Sequence, residues 1–384
     1  MDGISVQTIF REKLKRTNTQ AFIELVRAGL WGTDARIRPF KQIEFTEIYR
    51  LAEEQSVVGL VAAGLEHVAD KKVPKKDVLQ FIGQTLQLEQ RNQAMDYFIG
   101  VLVDKMRAEG IQTLLVKGQG VAQCYERPQW RSCGDVDFFL SEDNYQKAKE
   151  YLKPLALQVE DEYVREKHLG MTIGPWVVEL HGSLYSGLSS RIERELDDVY
   201  QDSFYRGNVR SWQNDDVQVF LLAAENDVFY VFTHILQHFY KGGIGLRQIC
   251  DWSRLLWTYR GSINVEKIEG RLKRSGLKTA WKAFAAFAVD YLGMPFEAMP
   301  LYSPDWKWKR KADKIYKFVI EVGNFGHNRD HSYFVKYPYL VRKVYSFGRR
   351  CGDLFRHAKI FPWDSFRFFP TLLYNGLRSA ARGE

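Results

Sequence analysis

The chain has 384 residues, 45% of them hydrophobic and 14% aromatic, with a mean hydropathy of −0.34. This composition excludes disorder over long stretches, and no apolar run nears the roughly 20 residues of a membrane span. A net charge of +8 and a pI of about 9.1 favour an anionic partner (nucleotide, nucleic acid or membrane surface), although solubility accounts for the charge equally well.

From Val6 to about Arg107 the sequence predicts helices. Apolar residues recur at threes and fours over Ala21–Leu30 and Phe45–Val68. A loop containing Pro74 follows, and a long helix over Asp77–Glu109 ends at Gly110. No chemistry is legible here, and the region reads as scaffolding. Ile111–Val116 reads as a short strand, Gly118–Tyr125 as a helix and Val136–Leu140 as a second strand. Ser141 then opens a helix with acids in its first turn. Leu157–Glu160, Tyr163–Glu166, Gly170–Ile173 and Trp176–His181 read as further short strands, giving a small mixed sheet flanked by helices. Beyond Ser183 the pattern is helical again. Val217–Tyr240 forms one long apolar stretch, and Gly242-Gly243-Ile244-Gly245 separates it from a helix over Leu246–Tyr259. From Trp306 onward, lysine and arginine interleave with aromatic residues. The fold class is therefore α+β, a small mixed β-sheet core embedded in a mainly helical protein. The expected regions are 1–109 (helical), 110–205 (core), 206–300 (helical) and 301–384 (basic, aromatic and helical).

Four cysteines, Cys124, Cys133, Cys250 and Cys351, are scattered without paired zinc spacing. With a polar N-terminus lacking an apolar signal core, they suggest a reduced, cytoplasmic protein, with peripheral contact at the inner membrane as a further expectation.

The informative stretch is Leu114–Leu140. In Gly134-Asp135-Val136-Asp137 the acids alternate with an apolar residue, so a strand presents Asp135 and Asp137 side by side. Their repulsion is relieved by a cation between them, and hard oxygen ligands suit Mg²⁺, with Mn²⁺ as a substitute. A two-ion phosphoryl-transfer site commonly needs a third carboxylate. Glu179, in the apolar strand Trp176–His181, is the candidate, because a lone acid there is costly unless paired or metal-bound. If the strands are neighbours, Asp135, Asp137 and Glu179 form one catalytic, metal-binding set. The bland reading is a solvated acidic strand face, and an acid–apolar–acid triplet alone is frequent.

These motifs resemble the uncharacterised nucleotidyltransferase family of the polymerase-beta-like superfamily. The resemblance rests on Leu115-Val116-Lys117-Gly118, on Arg131, on Gly134-Asp135-Val136-Asp137 and on Glu179-Leu180-His181. The run from His238 to Trp252 is similar to members found among bacterial surface-polysaccharide genes. The resemblance covers roughly Gln90 to Trp257. It implies a minimal nucleotidyltransferase sheet and Mg²⁺-assisted transfer of a nucleotidyl group from an NTP to a hydroxyl or phosphate. It also implies that Lys117, Gly118 and Gln119 lie against the NTP phosphates. One departure stands out. The superfamily usually has Gly-Ser or Gly-Gly where this chain has Gly118-Gln119, so the serine hydroxyl is missing, although backbone N–H groups can still face phosphate.

Arg131, four residues before Asp135, either reaches a triphosphate or pairs with a sheet acid. Arg247 either contacts phosphate or pairs with Asp251, one helical turn on. His234 and His238 share a helical face, but Ile235 stands where a zinc hydrolase needs glutamate, so a buried or cleft-lining pair is expected. His181 and His238 are accessory candidates, His181 as base, metal ligand or packed residue. The tail from Lys336 reads as nucleic-acid-binding, as membrane-surface-seeking, or as a basic layer packed through its aromatics, and the last is the expectation adopted here. The expected function is NTP-dependent nucleotidyl transfer to a sugar phosphate, tRNA or protein. The rivals are an inactive binding module in polysaccharide assembly and a toxin-like enzyme acting on tRNA or protein.

Overall fold

A computed structural model describes residues 6–324, 341, 348 and 352–381. Helices α1 (Val6–Trp31), α2 (Phe45–Glu54), α3 (Val58–Glu66) and α4 (Lys75–Ala108) come first. Gly110, at φ +70°, carries the chain out of α4 in the left-handed region that glycine tolerates. Strand β1 (Leu114–Val116), helix α5 (Gly118–Ala122), strand β2 (Asp135–Phe139) and helix α6 (Glu142–Leu152) follow. Ser141 precedes α6 as expected, but its hydroxyl accepts from Asn144 Nδ2 at 2.7 Å instead of capping a backbone N–H. Strands β3 (Gln158–Val159), β4 (His168–Ile173) and β5 (Trp176–His181), helix α7 (Ser190–Phe204) and strands β6 (Val209–Asn214) and β7 (Val217–Leu222) come next. Helices α8 (Ala224–Lys241), α9 (Leu246–Thr258), α10 (Val265–Ser275), α11 (Lys278–Asp290) and α12 (Trp306–Val322) then precede a final helix, Pro362–Ala381.

The strands form one mixed seven-stranded sheet in the order β3-β4-β5-β2-β1-β7-β6. With the helices around it, this makes an α+β protein. β2 runs parallel to β5 and antiparallel to β1, so the two acid-bearing strands are neighbours. Alternation then decides the two faces. Leu115, Val136, Phe138, Val178 and Leu180 pack with Met95, Ile99, Leu102 and Met106 of α4 and with Tyr145, Ala148 and Leu152 of α6. Leu114, Val116 and Phe139, on the opposite face, join the large core shared by α7 to α12. Asp135 and Asp137 have the parity of Phe139, so they face the helical body.

Two sequence expectations are corrected. Tyr163–Glu166 is a turn, with an isolated bridge between Tyr163 and His168. Val217–Tyr240 is not one helix. Its first six residues are β7, paired with β6 across a tight turn at Asp215 (φ +49°) and parallel to β1 at Leu115↔Leu221. The apolar run concealed a period of two, in which Val217, Val219 and Leu221 alternate with Gln218, Phe220 and Leu222. The helix starts only at Ala224, with Glu225 and Asp227 in its first turn.

Much of the expected C-terminal layer, including Lys336 itself, lies outside the described residues. Within them, Phe361 and Phe368 are buried in the large core, whereas Trp363 and Phe366 are 82% and 77% exposed. The aromatics of the final helix therefore face both inward and outward, not inward alone. Among the described residues no helix is long and apolar enough to cross a membrane.

Phe139 anchors β2, with ring centroids 4.8 Å from Phe204 and 5.8 Å from Tyr200. Phe139→Ala is expected to lower stability by about 3–5 kcal/mol through lost transfer energy and a cavity. A urea titration checks this, and a loss below about 1 kcal/mol would contradict the packing described.

Candidate active site

The site begins at a sharp corner. β1 ends at Val116, and Lys117 takes φ 56° and ψ −143°, a region disfavoured for any residue with a Cβ. Holding it there costs about 1–3 kcal/mol, which the surrounding contacts must supply. Gly118 follows at φ +39°, where a Cβ would stand 3.3 Å from Cys133 Sγ and 3.4 Å from Asp135 O. The corner turns the Lys117 ammonium back over the sheet to within 2.7 Å of Asp137 Oδ1.

The β2–β5 register sets Asp137 beside Glu179, and Asp135 is two residues up the same face. One oxygen from each of Asp135, Asp137 and Glu179 falls within 4.8 Å of the others. Asp137 is 1% exposed, whereas Asp135 and Glu179 are partly open. The charge of Asp137, with burial adding to it, pushes the Asp135 carboxyl above its ordinary value. Burial would also raise Glu179, but hydrogen bonds to His168 and His181 and the charge of Lys117 outweigh it and hold that carboxyl well below its ordinary range. His181 Nε2 lies 2.8 Å from Asp137 Oδ1 and 3.4 Å from Glu179 Oε2. Burial opposes its charge, yet these two acids raise its pKa above the usual value. The same contest raises Lys117, where the surrounding acids outweigh burial.

Helix α8 roofs this face. Burial moves the Tyr230 hydroxyl, beside Lys117, up to about 12. His234 and His238 meet Nε2 to Nε2 at 2.9 Å, and burial is the main cause that pushes both below the usual histidine value, His238 to about 3. The pair is partly buried, and of the two only His234 lines the cleft. His234, Val231 and Ile235 line a cleft together with Lys117, Gly118, Asp135, Asp137, Arg131 and Arg247.

The two arginines part company. Arg131 is buried in a bidentate pair with Asp251, Nε–Oδ1 at 2.9 Å and Nη2–Oδ2 at 2.7 Å, and Tyr125 donates to the same carboxylate at 2.7 Å. Asp251 is therefore not the partner of Arg247, contrary to the alternative raised by their spacing. Arg247 Nη1 donates to Ser132 O at 2.8 Å, and its buried Nε has no partner. Burial and the like charge of Arg131 lower its pKa. Its backbone is fixed by Gln55, whose Oε1 accepts from Leu246 N–H at 2.9 Å and whose carbonyl accepts from Arg247 N–H at 3.3 Å. The Gln119 side chain turns away from the cleft. It is buried against α4, donating to Asp96 Oδ1 at 2.7 Å, so only its backbone remains to face a ligand.

Sequence reasoning missed His168, Tyr230 and the structural use of Asp251. A signal for His168 existed. Gly174-Pro175 is a hairpin turn, and counting back from Ile173↔Trp176 places His168 opposite His181.

A family model described as an uncharacterised nucleotidyltransferase matches residues 41–293. The chain belongs to that nucleotidyltransferase family. Membership makes a nucleotide the expected substrate, and the matched span contains every site residue named above. No curated protein matches the chain. The crystal structure of an antigenic nucleotidyltransferase-like protein from Paracoccidioides brasiliensis is similar at 12% identity, over 52% of this chain and 92% of that one. Its TM-score is 0.31.

The donor set fits divalent ions. It consists of three carboxylates with hard oxygen donors, at least one of them electrostatically frustrated by its neighbour.

The Arg131–Asp251 pair is expected to be structural. Asp251→Ala should cost about 3–5 kcal/mol, because it strands a buried guanidinium, and Arg131→Met combined with Asp251→Ala should cost less than the single change. Denaturation midpoints of the three variants check this, and an unchanged Asp251→Ala midpoint would contradict it.

Proposed function

We propose that the protein is a Mg²⁺-dependent nucleotidyltransferase that moves a nucleoside monophosphate from an NTP to a hydroxyl or phosphate acceptor. The observation that supports this most is the convergence of Asp135, Asp137 and Glu179 within 4.8 Å, beside a cleft lined by Asp135, Asp137 and Arg247, whose buried Nε has no partner. Asp135, Asp137 and Glu179 would hold two Mg²⁺, or Mn²⁺ in their place. Bound there, the ions would supply charge stabilisation at the attacking and leaving oxygens.

The protein's own groups do the positioning. Lys117 and Arg247, which line the same cleft, offset the charge of the triphosphate. Glu179, kept ionised by its histidines, orients the attacking group. An acceptor oxygen bonds to the α-phosphorus and the bond to the β-phosphate bridge breaks. Pyrophosphate leaves with the electron pair, and the proton of a hydroxyl acceptor is lost to solvent. Arg131, committed to Asp251, serves this site by fixing the cleft wall rather than by binding phosphate.

The test is to incubate the protein with α-labelled NTPs and a cell extract, and to follow label transfer and pyrophosphate release. Asp137→Asn should lower transfer by on the order of a hundredfold or more while leaving the circular-dichroism spectrum intact. Mg²⁺ with an NTP should raise the melting temperature of the wild type but not of Asp137→Asn. Equal melting shifts in both proteins, or no pyrophosphate with any NTP, would contradict the reading.

A further inference from the structure

The acids are only half of the ligand-bearing groups on this face. The turn at Gly174-Pro175 sets the β4–β5 register, and that register places His168 opposite His181. The N–H and C=O of His168 are both engaged by Tyr163, at 3.3 and 2.9 Å, so the pair with His181 is not hydrogen-bonded through the backbone. In antiparallel sheets such pairs bring their side chains closest together. The two imidazole centroids are 4.8 Å apart. His168 Nε2 lies 3.2 Å from Glu179 Oε2, and His181 Nε2 sits between that oxygen, at 3.4 Å, and Asp137 Oδ1, at 2.8 Å, a contact that an ion on the imidazole would replace. Ligand atoms of His168, Glu179 and His181 all lie within 4.8 Å of one another. All three groups are partly buried and sit on paired strands, so rigid backbone supports them.

Donor chemistry distinguishes this cluster from the acid trio. Carboxylates alone suit Mg²⁺, whereas two imidazoles with one carboxylate suit first-row transition ions and leave coordination positions open. We propose that His168, Glu179 and His181 form a transition-metal site for Mn²⁺, Co²⁺ or Zn²⁺, next to the carboxylate trio and sharing Glu179 with it. The ion on the imidazole side is then chemically different from the one on the aspartate side, and the site is a mixed-metal one. The inference builds on the function proposed above in giving Glu179 a bridging place, but binding of the ion requires no nucleotide. Its rival is that the histidines act only as hydrogen-bond donors that orient Glu179.

The test is a titration of the full chain with Co²⁺ alone, followed by visible absorption, with Zn²⁺ competition as a second readout. The expected result is one Co²⁺ with the intense bands of a low-coordinate, nitrogen-ligated ion, displaced by Zn²⁺ and not by excess Mg²⁺. His168→Ala should weaken Co²⁺ binding by about tenfold or more, and Asp135→Asn should leave the bands in place. Circular dichroism verifies folding, and His168→Asn stands in if the alanine variant does not fold. Unchanged Co²⁺ and Zn²⁺ affinity in a folded His168 variant, or no nitrogen-ligated Co²⁺ in the wild type, would overturn the proposal. Those results leave the nucleotidyl-transfer reading standing. Tight Co²⁺ binding without any pyrophosphate release from NTPs would overturn that reading and leave this one.

Discussion

Asp137 is a carboxylate held almost wholly out of water, and the architecture of the site follows from keeping it charged there. Removing one such ion from water costs several kcal/mol even after relaxation, so partners must meet it at close range. Lys117 and His181 do so, at 2.7 and 2.8 Å on the same oxygen. Lys117 reaches it only because the chain breaks from β1 through a positive φ, and His181 because β5 runs parallel to β2. The strained corner, the parallel pairing and the glycine after Lys117 are therefore one device. In it, the cost of an unfavourable backbone conformation is offset by satisfaction of a buried charge.

A second buried charge pair ties the sheet to the helical body. Arg131 and Asp251 join the segment before β2 to α9, while Gln55 in turn fixes the first turn of α9. Arg247, in that same turn, is left facing the cleft without an acid. The acid one helical turn away from it, Asp251, is taken by Arg131. The region 1–109 thereby contributes to the site indirectly, through Gln55 and through the α4 residue Asp96 that draws the Gln119 side chain inward.

The acid site was legible because its signals are local. Period-two alternation fixes the common face of Asp135 and Asp137, and a lone glutamate in an apolar strand invites a partner. The β6–β7 hairpin was not legible, since Val217–Leu222 runs into the apolar α8 without a break and period two is short-lived there. The pairing of Asp251 was misassigned for a related reason. One helical turn made Arg247 its natural neighbour, but Arg131, 120 residues away in sequence, reaches it bidentately in space. The side chain of Gln119 followed the same pattern, with a distant buried acid outweighing the local glycine-rich context. Long-range polar contacts decide which charged groups are free, and a single sequence does not encode them locally.

The most direct measurement is a crystal structure of the full chain with Mn²⁺ and a non-hydrolysable NTP, with the ions located by anomalous scattering. The account predicts anomalous peaks bonded to Asp135, Asp137 and Glu179, and the triphosphate between Lys117 and Arg247. A nucleotide bound elsewhere, with Lys117 still closed on Asp137 and no ion among the three carboxylates, would contradict it.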